Sequence, residues 1–419
     1  MKSLLEIAVT ILLMAPPLVA AQVPLGQTLE GLLEHARANP ELAAMQSEAA
    51  AAEQRIYPAG ALPDPTFRVE LQNFTNAGSS SPPSLLPARV GSTKYTLMQT
   101  LPLWGKRDLR REVAEAELSQ ARARVSISWA DVAAGLKVAF ARYYLAVESE
   151  ALSLEVLELM RRLERVALSR YEGGLAPQQD VIRAQVEVTT MQSELLTLES
   201  EREAARASIN MALGRSPDAA LARPLRLRPV PSPAALDAAR LTERLGGGTP
   251  QLSVEDSRIA AAEKNRTLTE RNRYPDVTAG ISPIQMGSRL SEWELMFEVS
   301  IPLQQQSRRH QEAEARAMVD ASVHRRRALA FRLAAEVQEN AAALASARRI
   351  ELLTTNSLLP QAEATLQSAL AGYESGKVDF ATLLDAQRAI RKARQDRLKA
   401  QVEAQVRIAA IERILGEDL

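Results

Sequence analysis

The side chains able to do chemistry are few in this chain, and their spacing limits what they could do. His35, His310 and His324 are its three imidazoles. None stands four residues from another, so no helical metal pair can be built. There is no cysteine, which removes thiolate metal sites, disulfides and a cysteine nucleophile. No P-loop, GxSxG or GxGxxG segment occurs, so phosphate chemistry and a serine nucleophile lack a frame. What remains is charge at alternate positions: Glu292, Glu294 and Glu298 in EWELMFEVSI, with Arg68 and Glu70 in TFRVELQNF. Rows of carboxylates attract cations without transferring a proton. No set of acid, base and nucleophile can be assembled, so the chain is not read as an enzyme, and no cofactor or metal is expected.

Charges at every second position need strands to present them. In EWELMFEVSI, Trp293, Leu295, Phe297, Val299 and Ile301 fall on one face and the glutamates on the other, the period of a strand with one apolar side. TFRVELQNF (66–74) repeats it, with Phe67, Val69 and Leu71 opposite Arg68, Glu70 and Gln72. KYTLMQTL (94–101) and DVTAGIS (276–282) are weaker versions, and the four make two hairpins joined through 75–92 and 284–291. Before each hairpin a helix opens at Asn39-Pro40 or Thr249-Pro250, a cap followed by proline in the first turn. Each is expected to stop at Tyr57-Pro58 or Tyr274-Pro275, because proline disfavours helix in the residue before it.

After the hairpin, a proline-free stretch from about Gly105 to Arg170 would reach roughly 100 Å as one helix. Leu152, Val156, Leu159, Leu163 and Val166 step by four and three, the spacing of coiled-coil packing. A turn reverses the chain, and a second helix returns over 177–213; the same order recurs at 303–415. Composition agrees, at 46% hydrophobic but 4% aromatic residues, which suits long helices. Lys and Arg equal Asp and Glu at 51 each, so no global charge points to nucleic acid.

The two turns show how the chain is organised. YEGGLAPQQDVIRAQ (171–185) and YESGKVDFATLLDAQ (373–387) align at an offset of 202, as do MALG ending at Gly214 and RILG ending at Gly416. LPLWGKR (101–107) answers IPLQQQSR (301–308), and NPEL (39–42) answers TPQL (249–252). The chain is read as two copies of one unit, 22–214 and 249–419, joined by a Pro- and Gly-rich linker over 215–248. Residues 1–21, with Lys2, an apolar run to Met14 and Val19-Ala20-Ala21, read as a cleaved signal peptide, because the run is too short to span a bilayer.

With the order helix, hairpin and long coiled hairpin, twice over, the mature chain resembles the TolC-type outer-membrane efflux channels. The resemblance is strongest at the two turns. It implies a mainly α fold with a small β part, in which a homotrimer forms a twelve-stranded barrel in the outer membrane of a Gram-negative cell. A periplasmic α-helical tunnel would continue the barrel, belted by the linker and the C-terminal end. Arg68, Glu70, Glu292, Glu294 and Glu298 would then face the lumen. The family's gating carboxylates match Thr382 and Asp385, of which Asp385 alone is acidic. Tyr373 matches a tyrosine of the closed-state latch, Val378 replaces a basic residue of that latch, and Asp180 could add a charge. Gly173, Gly174, Leu175, Gly376 and Lys377 would be the tips that dock a periplasmic adaptor. With no nucleotide motif, energy would come from an inner-membrane RND pump. GALPDPTFRVELQNF (60–74) and PLWGKR are most similar to members serving heavy-metal exporters, which makes metal cations the expected substrate. Drugs or a secreted polypeptide are the alternative cargo, and a soluble periplasmic coiled-coil scaffold is the alternative of another class.

Overall fold

The structure, a computed structural model, describes residues 24–78, 80 and 82–419; the signal-peptide reading lies outside them. In chain order the elements are α1 (Leu29–Ala36), α2 (Pro40–Gly60), β1 (Thr66–Gln72), β2 (Ser92–Leu101), α3 (Lys106–Glu172), α4 (Gln178–Ala212), α5 (Ala238–Gly246), α6 (Pro250–Arg271), β3 (Asp276–Met286), β4 (Arg289–Ser300), α7 (Gln305–Leu353), a π-helical turn (Thr354–Leu358), α8 (Leu359–Glu374) and α9 (Phe380–Leu415). The fold is mainly helical with one small sheet.

Caps set the helix starts. The Asn39 side chain accepts from the Glu41 amide at 2.7 Å and Thr249 from the Leu252 amide at 3.3 Å, each with proline next in line, and both fill amides that a helix start leaves unpaired. One expected stop is corrected: α2 runs through Tyr57-Pro58 to Gly60, with the Ala61 amide closing on the Pro58 carbonyl. Proline's restriction on the preceding residue is a bias, and a proline in the last turn forfeits only one hydrogen bond. α6 ends at Arg271, before Tyr274-Pro275.

The four strands form one antiparallel sheet in the order β1-β2-β3-β4, so β1 and β4 are open edges. β3 and β4 meet at Gly287-Ser288 (φ 58° at the glycine), a tighter turn than the expected 284–291. Pro283 lies inside β3 opposite Trp293. Pro283 has no N–H for a neighbour, and the pairing of β3 with β2 skips from Ile281 to Ile284, bridged by the Ser282 hydroxyl donating to Thr96 Oγ1 at 2.9 Å.

α3 carries 67 residues without a break, about 100 Å at 1.5 Å per residue. Its counterpart is interrupted by the π-turn, where the Leu359 amide reaches back five residues to the Thr354 carbonyl just before Pro360. Three apolar cores follow. One packs α1 on α3 and α4 through Leu32, Leu136, Phe140 and Ile209. One packs α5 on α7 and α9 through Leu241, Leu333, Val337 and Ile408. The third joins both long hairpins near their turns through Met160, Met191, Phe380 and Leu383.

Buried charge ties these halves at mid-length. Glu412 on α9 accepts from Lys137 on α3 at 2.9 Å, from Arg228 in the linker at 2.7 and 3.0 Å, and from the Leu419 amide at 2.9 Å. Lys137 also pairs with Asp418. At the position 202 residues earlier, buried Asn210 donates to the carbonyls of Pro217 at 3.1 Å and Ala219 at 2.8 Å. Both return helices thus hold the linker by one polar side chain.

Candidate functional site

The sheet register sorts the strand residues into two faces. Phe67, Leu97, Ile281 and Leu295 lie in one cross-strand row, and Leu101, Val277 and Val299 in another. Since side chains alternate, Trp293 and Phe297 share this apolar face, with 65% and 73% of their surface open. The opposite face carries Arg68 and Glu70 on β1 and Glu292, Glu294 and Glu298 on β4, so all five residues expected to share a face do so. Lys94 belongs with them: its ammonium donates to Glu294 at 2.5 Å, and Arg68 meets Glu70 at 3.4 Å. The same alternation in KYTLMQTL gives Lys94 this face, a signal that a search for carboxylates passes over. Four carboxylates against two cations leave an excess of two negative charges.

At the other end of the molecule the two turns share one backbone design. The Leu175 amide donates to the Arg170 carbonyl at 2.7 Å and Gly174 to Tyr171 at 2.9 Å; 202 residues on, Lys377 donates to Gly372 at 2.8 Å and Gly376 to Tyr373 at 3.1 Å. This paired closure needs a left-handed residue, and Gly174 and Gly376 supply it at φ 70° and 72°. Gly173, Gly174, Leu175, Gly376 and Lys377 are all exposed.

The four gate candidates separate into two pairs. Tyr373 is 3% exposed, its ring 5.4 Å from Phe380 and 4.7 Å beneath the Arg170 guanidinium. Arg170 also donates to the Tyr373 carbonyl. Burial raises the Tyr373 phenol above its ordinary pKa, with Arg170 opposing, and its hydroxyl has no hydrogen-bond partner among the described residues. Asp180 is buried as well, and desolvation pushes its carboxyl up against the pull of Arg183 and Arg170. Asp385 and Thr382 lie on the exposed face of α9, with 77% of the Asp385 side chain open. Thr382 is engaged by the α9 cap: its amide and hydroxyl donate to Asp379 at 2.9 and 2.6 Å. Those bonds to Thr382 hold the Asp379 carboxyl below its ordinary range. Asp385 has Arg388 at 3.9 Å, and Arg388 reaches across to Glu187 on α4 at 2.6 Å.

The profile of the outer membrane efflux protein family matches residues 32–215 and 243–417, most of the chain. The chain belongs to the outer membrane efflux protein family. This efflux protein is 25% identical over 405 residues to the cobalt-zinc-cadmium resistance protein CzcC of Cupriavidus metallidurans, covering 93% of this chain and 90% of that one. Among solved structures, the outer-membrane channel OprN is similar at a TM-score of 0.78 and 23% identity over 93% of this chain and 89% of that one. The outer membrane protein VceC of Vibrio cholerae is similar at 0.79 and 17% identity, over 93% and 96% of the two chains. These likenesses show the fold. Family membership makes the chain an efflux channel component of the Gram-negative outer membrane, with its helical part in the periplasm.

In this efflux protein the residue that sequence reading missed at the turns is Arg170. It reaches from the first long hairpin to the second, the place where Val378 offers no cation. Its signal was an asymmetry: at the offset of 202 it stands opposite Gly372. Among the described residues no group of three or more His, Cys, Asp and Glu could hold a metal ion. No described helix is long and apolar enough to cross a membrane.

Proposed function

We propose that three copies of this chain close a twelve-stranded barrel and form the passive exit duct of a tripartite efflux system for heavy-metal cations. One observation carries this reading: a four-stranded sheet has one exposed apolar face, one charged face and two open edges. Four strands are too few to close alone, since known membrane barrels begin at about eight. An open edge in hydrocarbon would leave unpaired backbone groups. Joining β4 of one copy to β1 of the next removes both edges and turns the carboxylate face inward. Two repeats per chain then give six helical turns around the tunnel mouth, whose exposed tips suit a periplasmic adaptor, with an inner-membrane RND pump supplying the energy. Asp385 and Thr382, exposed and one helical turn apart, are the gate facing the axis. Tyr373 and Asp180 position the turns from inside the packed core. The cargo follows the CzcC likeness, since the lumen's two excess negative charges per chain favour cations. A soluble scaffold is disfavoured by the exposed Trp293, Leu295 and Phe297.

The test is single-channel conductance of the detergent-purified protein in planar bilayers under a salt gradient, wild type beside Asp385→Ala. Cation-selective pores whose conductance changes with that substitution support duct and gate together. Pores indifferent to it remove the gate assignment, and a water-soluble preparation without pores removes the duct. Loss of metal resistance in a deletion strain, with drug tolerance kept, separates metal cargo from drugs or a secreted polypeptide.

A further inference from the structure

The formal net charge of zero hides a strong zoning along the molecule. Four stretches meet where the sheet gives way to helices: 55–65, 102–111, 271–276 and 301–310. Arg107 Nε donates to the Gly60 carbonyl at 2.9 Å, Trp104 Nε1 to the Pro275 carbonyl at 3.0 Å, and Lys106 Nζ to the Tyr274 carbonyl and Asp276, both at 2.8 Å. Together these stretches hold nine Lys and Arg against Asp64, Asp108 and Asp276, a net of +6 in a neutral chain. Trp104 stacks on Tyr274 at 5.1 Å at this level.

A groove of about 550 Å³ opens within this collar, lined by Lys106, Asn272, Ser307, Arg308 and the Asp276 carboxylate that Lys106 neutralises, and bordered by Ile301 and Leu303. Lys106 is 2% exposed. Its two hydrogen bonds leave one of the ammonium's three donors unused. Arg308 donates to Gln311 at 3.3 Å, and neither it nor Arg309 has an ion-pair partner among the described residues. Ile301 and Leu303 continue the alternation of Trp293 to Val299, so the apolar face runs down to the lip of the groove, and the two are 69% and 82% exposed.

Taking the sheet as the membrane-embedded part, as the duct reading has it, we propose that this groove binds the phosphate of an anionic phospholipid headgroup. The lipid comes from the leaflet facing the helices, with its acyl chains against Ile301 and Leu303. The chemistry is that of long cationic side chains placed below an apolar band, where their stems lie along hydrocarbon and their heads meet phosphate. Aromatic rings at that level are the usual companions of a bilayer boundary.

The experiment uses the full chain in bilayer nanodiscs of phosphatidylcholine, with and without phosphatidylglycerol, and measures phosphatidylglycerol retained per protein after dilution into phosphatidylcholine discs. Retention above that of phosphatidylcholine is expected, with a loss of about fivefold when the groove's guanidinium is removed in Arg308→Gln. Arg349→Gln, the same charge change far down α7, should leave retention unchanged, and Arg308→Lys should restore part of it. Equal retention of both lipids, or an Arg308→Gln variant that binds as wild type, overturns the proposal while leaving the duct intact. Complete displacement by inorganic phosphate also overturns it, since the groove would then be a soluble-anion site. A chain that enters neither bilayer sinks the duct reading and this one with it.

Discussion

Replacing Glu412 by alanine tests the polar knot at mid-length. Glu412 and Lys137 have side chains only 3% and 6% exposed, and Glu412 also receives both Arg228 bonds. Removing the carboxylate leaves the Lys137 ammonium in a desolvated site, with the exposed Asp418 as its remaining partner. Breaking a buried pair in this way costs about 3–5 kcal/mol, a large share of the roughly 5–15 kcal/mol that holds a domain together. The assay is urea unfolding of the detergent-solubilised protein followed by far-ultraviolet circular dichroism. Glu412→Ala should lower the midpoint strongly with little change of slope. Asp418→Ala, whose side chain is 75% exposed, should cost less than about 1 kcal/mol. Replacing both partners by apolar residues, Lys137→Met with Glu412→Leu, should regain part of the loss, because the Lys137 charge is then no longer left alone, although Arg228 still loses its carboxylate. A Glu412→Ala protein within about 1 kcal/mol of wild type would refute the reasoning, and so would a double variant no better than the single.

Other outcomes follow from single positions. Gly174→Ala meets open space at φ 70° and should cost about 1 kcal/mol of left-handed strain, whereas Gly416→Ala would also set its Cβ about 2.5 Å from Pro250 Cδ and lower the melting temperature distinctly further. Asp180, whose carboxyl is raised from 3.8 chiefly by burial, should destabilise the fold progressively as pH rises from about 3.8 through its raised value. Asp180→Asn should therefore melt higher than wild type at neutral pH, with the difference vanishing in acid, and a constant difference across that window would contradict the burial argument. Phe297→Arg places a charge on the apolar face at about 2–4 kcal/mol and should abolish bilayer insertion. Its neighbour Glu298→Lys, on the charged face, should insert normally and lower cation selectivity in reversal-potential measurements.

What the sequence made legible is what repeats at short range. The alternation around Trp293 and Phe67 gave both faces of the sheet, and the glycines of the two turns gave their position and closure. What it hid depends on contacts between distant segments. Lys94 was visible by period but acquires meaning only beside Glu294, 200 residues away. Pro283 reads as a strand breaker until the skipped pairing with β2 shows that its missing N–H is tolerated. Arg170 stands at the end of its helix, and only the packing of one hairpin on the other brings it to Tyr373. Glu412 lies in a helix rich in charges, and burial alone sets it apart from Glu403, Arg407 and Arg413, which keep part of their surface open.

The π-turn at Thr354–Leu358 governs length. Leu101 and Ile301 correspond at an offset of 200, but Gly174 and Gly376 do so at 202, so the second descending arm has two residues more to cover the same drop. Left wholly α-helical, two residues would add about 3 Å of rise and turn everything below by about 200°. A turn closed over five residues takes up one of the two with little added rise, and it sits directly above the proline that would otherwise break the ladder. The arms end level in spite of their unequal counts, close enough that a Cβ at Gly376 would lie 3.6 Å from the Arg170 guanidinium. The turn is thus a spacer that lets one of the two long hairpins gain residues while both ends still meet at the same depth.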